Sequence, residues 1–517
     1  VKLYSDEFAA DPHTTYQRMR GEHGPLVPVE VAPGVPATLV IDYRTALDIL
    51  SDSTRFSADP SQWEQSVPTE CPVPLAMRWR PDASRTTGDE HSRYRTAVTG
   101  SLDRIDLHTL RDTVERTAVS LINGFCAAGS ADLLTEYAIP LTVGVLEEVL
   151  GLPREVRENA YAAMMNLRDA TDTDAAEASR RTLEATMFAV ISAKKAAPAN
   201  DAASWLVQHP ARLSETELVH QLTMLYTTGA EPTWNLIAVT VLSLATDDRF
   251  GGELLGGALS TRDAIDEVLF TDPPKANSCF RYPTQPQVVG DAWLPQHQPV
   301  LIGLAACNND PAAAAGERQG NRSHLAWGAG PHACPAQSLA MVIVQEALDQ
   351  LLDALPEIRL AIPPDEVTWL SDPFHRAPAT VPVTFPPSAP SLSPDRTWAT
   401  SVHVGSGAGR TEPTWFADER VSGASAPKDR RRPGVSDHRA LPTSGHRVLQ
   451  ADGNCSRSIY RPTCPDSPWS NLRGLVATDG SAEMALSGRM GFAHHKSMSE
   501  KLFVSPPARS LGYDDGA

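Results

Sequence analysis

The chain has 517 residues and a net charge of −18, long enough for a large core or several domains. The charge is uneven: residues 388–517 hold 16 Lys/Arg against 13 Asp/Glu, and residues 1–387 hold 29 against 50. An acidic body argues against nucleic acid as a partner, and seven scattered cysteines with no C-x-x-C pair read as reduced.

No apolar run reaches eighteen residues, and Val1 to Asp6 lacks the basic and apolar regions of a signal peptide. The expectation is a cytoplasmic protein with no membrane partner. In chain order, residues 14–22 predict a helix. Two β runs follow at 26–31 and 37–41, joined through Pro33-Gly34, and then a helix at 43–51. Residues 52–88 read as loop, with prolines at 60, 68, 72, 74 and 81. Gly88 then opens a helical stretch in which His91 and Arg95 lie four apart, on one face. Two such donors suit a pair of carboxylates, although an exposed basic helix is the commoner use. Residues 111–127, 131–150, 153–168 and 172–196 read as consecutive amphipathic helices.

Ser214 and Glu217 form a capping-box pattern that opens an apolar-periodic helix to about residue 247. More than thirty residues make it roughly 50 Å long. Its middle reads Thr228-Gly229-Ala230-Glu231-Pro232-Thr233. Pro232 removes a helix N–H and leaves a carbonyl one turn earlier free. A further helix around Asp266, Glu267 and Phe270 precedes Pro273-Pro274. Arg281, a strand pair around Gly290-Asp291, a β run at 300–306 and the turn Asn308 to Pro311 follow. Residues 366–370 and 380–385 read as a closing β pair.

The most informative stretch runs from Trp327 to Ala336 (Trp-Gly-Ala-Gly-Pro-His-Ala-Cys-Pro-Ala). Pro335 suits a first helical position, and Leu339, Val342, Ile343 and Ala347 recur at helix spacing. Cys334 is thus placed where a tight loop meets a helix N-terminus, whose N–H groups and dipole favour a thiolate. Gly328 and Gly330 let the loop pass close to a flat ligand. One thiolate beside a flat ligand is what haem iron requires for cleaving O–O bonds.

This stretch resembles the haem-binding loop of the cytochrome P450 family, F-G-x-G-x-H-x-C-x-G, with Trp327 for Phe and Ala336 for the last Gly. Residues 88–95 resemble the family's G-x-x-H-x-R-x-R helix, and residues 228–233 its A/G-G-x-D/E-T-T/S segment. The resemblance covers about residues 4–386 and is closest to soluble, actinobacterial members. It implies a mainly α fold with small β-sheets, and haem b held between the long central helix and the helix after the cysteine loop.

The resemblance also implies roles. Cys334 is the axial ligand of the iron. His91, Arg95, Arg281 and His332 anchor the propionates, with Trp327, Gly328 and Gly330 shaping the loop. Gly229 opens space for a diatomic ligand, and Glu231 with Thr233 or water delivers protons. The implied activity is insertion of one oxygen atom from O₂ into a small hydrophobic organic substrate. A ferredoxin and ferredoxin reductase supply the electrons.

Three positions depart from the family pattern. Pro232 stands at the usual threonine. Phe270 stands at the arginine of E-x-x-R, as in an atypical subgroup, and Asn309 at the arginine of N-R-D-P. Arg318 or Arg322 is the expected substitute partner for Glu267; otherwise that corner is rebuilt around an aromatic ring. These departures keep a second reading open, a haem-binding partner or sensor without turnover. Residues 388–517, rich in Ser, Pro, Gly and Arg, read as a disordered tail. Their abrupt onset also fits out-of-frame translation.

Overall fold

In a computed structural model, the structure describes residues 1–68, 71–170, 172–246, 260–312 and 321–391. The tail beyond 391 and Arg318 lie outside the described residues. Helix dominates. Residues Pro12–His23 and Tyr43–Ser51 form the first substantial helices, with Asp11 and Asp42 accepting from the third residue beyond. The basic helix Gly88–Leu102 and the helices Leu107–Phe125, Ile139–Leu150, Arg154–Arg168 and Thr173–Ala196 follow.

The long helix is Glu215–Thr246, with Pro232 inside it. Its start is capped as the sequence requires: Ser214 N donates to Glu217 (2.7 Å), and Glu217 N donates to Ser214 Oγ (3.4 Å). Its apolar positions enter one large helical core shared with the neighbouring helices, including Gln337–Ala354 after the cysteine loop. That last helix begins at Gln337, so Pro335 lies in the turn before it rather than at its first position.

Strands are short and sit to one side. The first sheet joins β1 (Leu26–Ala32), β2 (Val35–Val40), β3 (Phe56–Ser57), β5 (Asn277–Pro283) and β8 (Val300–Gly303) in the order β1-β2-β8-β5-β3. Only β2 and β8 are parallel in it. Two strand expectations are corrected. Residues 304–308 are helical, so the run at 300–306 stops at Gly303. The closing strand β10 (Pro382–Thr384) pairs with β4 (Ser130–Asp132) and β9 (Arg359–Leu360), not with residues 366–370. The helix expected from 131 therefore starts later, because Ala131 is needed for a non-local ladder with Val383. The remaining pair, β6 (Gln287–Val289) and β7 (Ala292–Leu294), turns through Gly290, as expected.

The chain stays attached to the helical body as far as the last described residue. Ser388 N donates to Cys126 O (3.0 Å), and Ser391 N donates to Asn123 Oδ1 (2.7 Å). Among the described residues, no helix is long and apolar enough to cross a membrane.

Candidate active site around Cys334

The cysteine loop is closed by its own backbone. Cys334 N donates to Trp327 O (2.8 Å), and Gly328 N donates to Leu325 O (2.7 Å). Gly328 and Gly330 adopt φ of +69° and +68°, where a side chain is strained. At Gly330 a Cβ would also collide with the carbonyl of Leu50, so the loop sits directly on the helix Tyr43–Ser51. Both glycines thus answer to geometry as well as to motif. Trp327 is half-buried against the helical core.

Four basic side chains gather beside this loop. The rings of His91 and His332 stack with centroids 3.9 Å apart. Arg95 donates to the carbonyl of Ala333, next to the cysteine. Arg281, buried on β5, donates to Phe280 O (2.8 Å). The basic helix thus supplies His91 and Arg95, the sheet Arg281 and the loop His332. Burial pushes His332 down to about 3, and the nearby Arg281, His91 and Arg95 charges add to this. His91 is lowered by burial and then by Arg95 and Arg281.

This cluster has no matching anion among its charge partners, apart from the thiols Cys279 and Cys334. Three of its buried polar atoms have no hydrogen-bond partner among the described residues: His91 Nε2, Arg281 Nη2 and His332 Nδ1. Buried polar atoms are almost always paired, so these three point to an anionic group that completes them. A planar macrocycle with carboxylates, lying against a glycine loop and one sulfur, fits that description. Cys334 is the sulfur. Here the expected helix-dipole effect is outweighed: burial pushes its thiol above the ordinary range, although the Ala336 N–H, Arg95 and Lys275 pull it down.

The middle of the long helix faces the same region with different chemistry. Glu231 is half-buried and has no hydrogen-bond or ion-pair partner among the described residues. Thr233 is buried and donates to Gly229 O (2.7 Å), so its hydroxyl proton is already used by the helix. Gly229 turns its bare face to Leu146, where a Cβ would make an ordinary 3.5 Å contact.

The corner at Phe270 carries several contacts of its own. Phe270 meets His324 edge to face, with centroids 5.1 Å apart. Arg322, one of the two guanidiniums expected at Glu267, donates through Nε to the neighbouring Asp266 (2.7 Å), and Arg318, the other, lies outside the described residues. Asn308 donates to Leu269 O (2.9 Å), and Asn309 to Phe270 O and Thr271 O (3.1 Å each). Two amides thus hold the last carbonyls of the helix Thr261–Thr271, in the place of the family's N-R-D-P arginine.

Three groups were missed by sequence reasoning. Lys275, Cys279 and His375 approach the same region: Lys275 interacts electrostatically with Cys279, Glu231 and Cys334, and His375 with Glu231 and Lys275. Cys279 Sγ would lie 3.4 Å from a Cβ at Gly328, and its own φ of +56° bends β5 there. The only signal in the sequence was a lone lysine directly after Pro273-Pro274.

The fold and this cysteine site define a haem-thiolate protein. Over 398 residues the chain is 27% identical to cytochrome P450 107B1 of Saccharopolyspora erythraea, covering 74% of this chain and 96% of that protein. It is 28% identical over 392 residues to the cytochrome P450 monooxygenase PikC of Streptomyces venezuelae, covering 73% and 92%. The solved structure of CYP154A1 from Streptomyces coelicolor superposes with a TM-score of 0.66 at 27% identity, covering 72% of this chain and 98% of that one. No family model matches the chain. The chain belongs to the cytochrome P450 family of monooxygenases, which use haem with a cysteine thiolate ligand.

Proposed function

We propose that this P450 binds haem b through Cys334 and hydroxylates a small organic molecule of the secondary-metabolite or xenobiotic type. Electrons come from a separate ferredoxin and its reductase in the cytoplasm. When bound, the haem supplies the O₂ chemistry, and thiolate donation favours O–O cleavage.

The chain's own residues then have four tasks. Arg281, His91, His332 and Arg95 neutralise and orient the two propionates through charge-assisted hydrogen bonds. Trp327, Gly328 and Gly330 hold the sulfur at one depth and keep bulk off the loop. Glu231, which has no hydrogen bond among the described residues, is the group that passes protons into the site. Thr233 holds the helix at Gly229 through its donated bond and offers only an acceptor. Water beside Pro232 supplies the hydroxyl that proline lacks.

The observation that carries this reading is the unpaired set at His91, Arg281 and His332 beside Cys334. Its test is the carbon monoxide spectrum of the reduced protein. A thiolate-type band in the wild type, lost in Cys334→Ser, is expected. A band unchanged by that substitution would overturn the assignment.

Pro232 and Phe270 favour one second reading, a haem-binding partner or sensor with little turnover. It predicts the same spectrum but no substrate-dependent NADPH consumption with a surrogate ferredoxin system, across any substrate panel.

A further inference from the structure

Lys275 is the feature that oxygen chemistry leaves unexplained. Its backbone is bracketed on both sides. Arg376 N donates to Pro274 O (2.9 Å), and Asn277 N donates to Phe374 O (3.1 Å). Asn277 also donates to Pro373 O (2.9 Å) and accepts from Tyr16 Oη (2.9 Å). Arg376 is itself stacked on Trp369, 3.4 Å from the ring centroid. The segment 274–277 is therefore a rigid mount, set opposite residues 373–376.

Four lysines fall among the described residues, and three have partners. Lys194 pairs with Asp201 (2.5 Å), Lys195 with Glu215 (2.7 Å), and Lys2 lies over the Tyr4 ring. Lys275 alone has no hydrogen bond or ion pair among the described residues, although it is half-buried. An ammonium there keeps three donors unspent, at a cost in desolvation. Burial accordingly pushes it below the ordinary lysine range, while Cys279, Glu231 and Cys334 act in the other direction. Those charges set it toward the cysteine loop and the middle of the long helix, the two elements between which the proposed function puts the substrate.

A second donor stands across the mount. His375 Nδ1 lies 3.3 Å from Asp372 Oδ2, which orients the ring, and its Nε2 has no partner among the described residues. One free ammonium and one oriented imidazole suit an acceptor with a single negative charge. Glu231 in the same region disfavours a dianion such as a phosphate by like-charge repulsion.

We propose that Lys275, assisted by His375, is a carboxylate-binding subsite, and that the substrate of this enzyme is an organic acid. This rests on the monooxygenase reading and specifies its substrate class.

The test uses the full-length, haem-loaded protein and matched probe pairs: decanoic acid with methyl decanoate, and phenylacetic acid with methyl phenylacetate. Binding is read by equilibrium dialysis and by the shift of the haem absorption band. The acid of at least one pair should bind about tenfold or more tighter than its ester, the worth of one charge-assisted bond. Lys275→Met and Lys275→Gln should erase that preference by weakening the acid and leaving the ester unchanged. Lys275→Arg should keep it. Equal binding of acid and ester in the wild type, no binding of either acid, or a preference that survives both neutral variants would each overturn the proposal. Haem content and the carbon monoxide spectrum are followed in every variant. Their loss in the wild type would defeat the monooxygenase reading; a normal spectrum without acid preference defeats only the subsite.

Discussion

The two halves of the long helix are built on opposite principles. At its start, Glu217 is saturated: it pairs with Arg93, accepts from Tyr94 Oη (2.9 Å) and caps Ser214 (2.7 Å). Arg93 above all holds its carboxyl down to about 2. Fourteen residues on, Glu231 has none of these partners, and Pro232 has removed a backbone bond beside it. A carboxylate that stabilises a fold is surrounded by donors. One left without them inside a folded protein is held for a ligand or a reaction.

That contrast is best broken at Glu231. Glu231→Gln should lower product formation by about 10²-fold or more, the usual scale for a positioned proton donor. Thermal stability should fall by no more than about 1 kcal/mol, because only the electrostatic attraction to Lys275 and His375 is lost. A large drop in melting temperature with unchanged turnover would show Glu231 to be structural after all.

Glu147, packed against the same helix, tests the saturated side. It is buried, accepts from Tyr226 Oη (3.1 Å), and burial raises it from 4.5 to about 7 despite Arg157. Its folded value lies above its unfolded one. The protein therefore has full stability from this group below pH 4.5 and loses it as pH rises through about 7. The loss amounts to about 3 kcal/mol. Glu147→Gln should close that gap: its advantage over wild type in denaturant melts should grow from pH 4.5 to 7. An advantage independent of pH would contradict the shift.

Pro232→Thr comes next in size. Restoring an N–H opposite Thr228 O should stabilise the helix by about 2 kcal/mol, less any strain from its settled kink. It should also raise the fraction of NADPH that ends in product. Unchanged coupling would mean that water already replaces the missing hydroxyl in full.

The smallest effect belongs to Glu217→Ala, about 1 kcal/mol, since Arg93 is more than a third exposed and solvent screens the pair. This group's folded value lies below its unfolded one. Its contribution is present above pH 4.5 and fades as pH falls toward 2. A cost that stayed constant across that range would assign it to packing instead of charge.

The cysteine loop, the basic helix and the ends of the long helix were legible because each rests on local chemistry. Gly328 and Gly330 need positive φ, His91 and Arg95 are one turn apart, and Ser214 with Glu217 spells a cap. What failed to be legible depended on distant partners. Ser130–Asp132 is a strand only because Pro382–Thr384 lies beside it. The loss of arginine at position 270 was plain, but the contacts made there by Asn308, Asn309 and the ring of His324 were not, since those residues are remote in the chain.

By itself, then, the sequence determined the haem-thiolate character of this chain, because a loop, a sulfur and a helix start are contiguous. The tertiary structure decided the rest. It alone brought Arg281 to His332 and Cys334, turned Gly229 toward Leu146, and set Lys275 and His375 near Glu231. Charges separated by more than forty residues acquire meaning only when burial makes their missing partners costly.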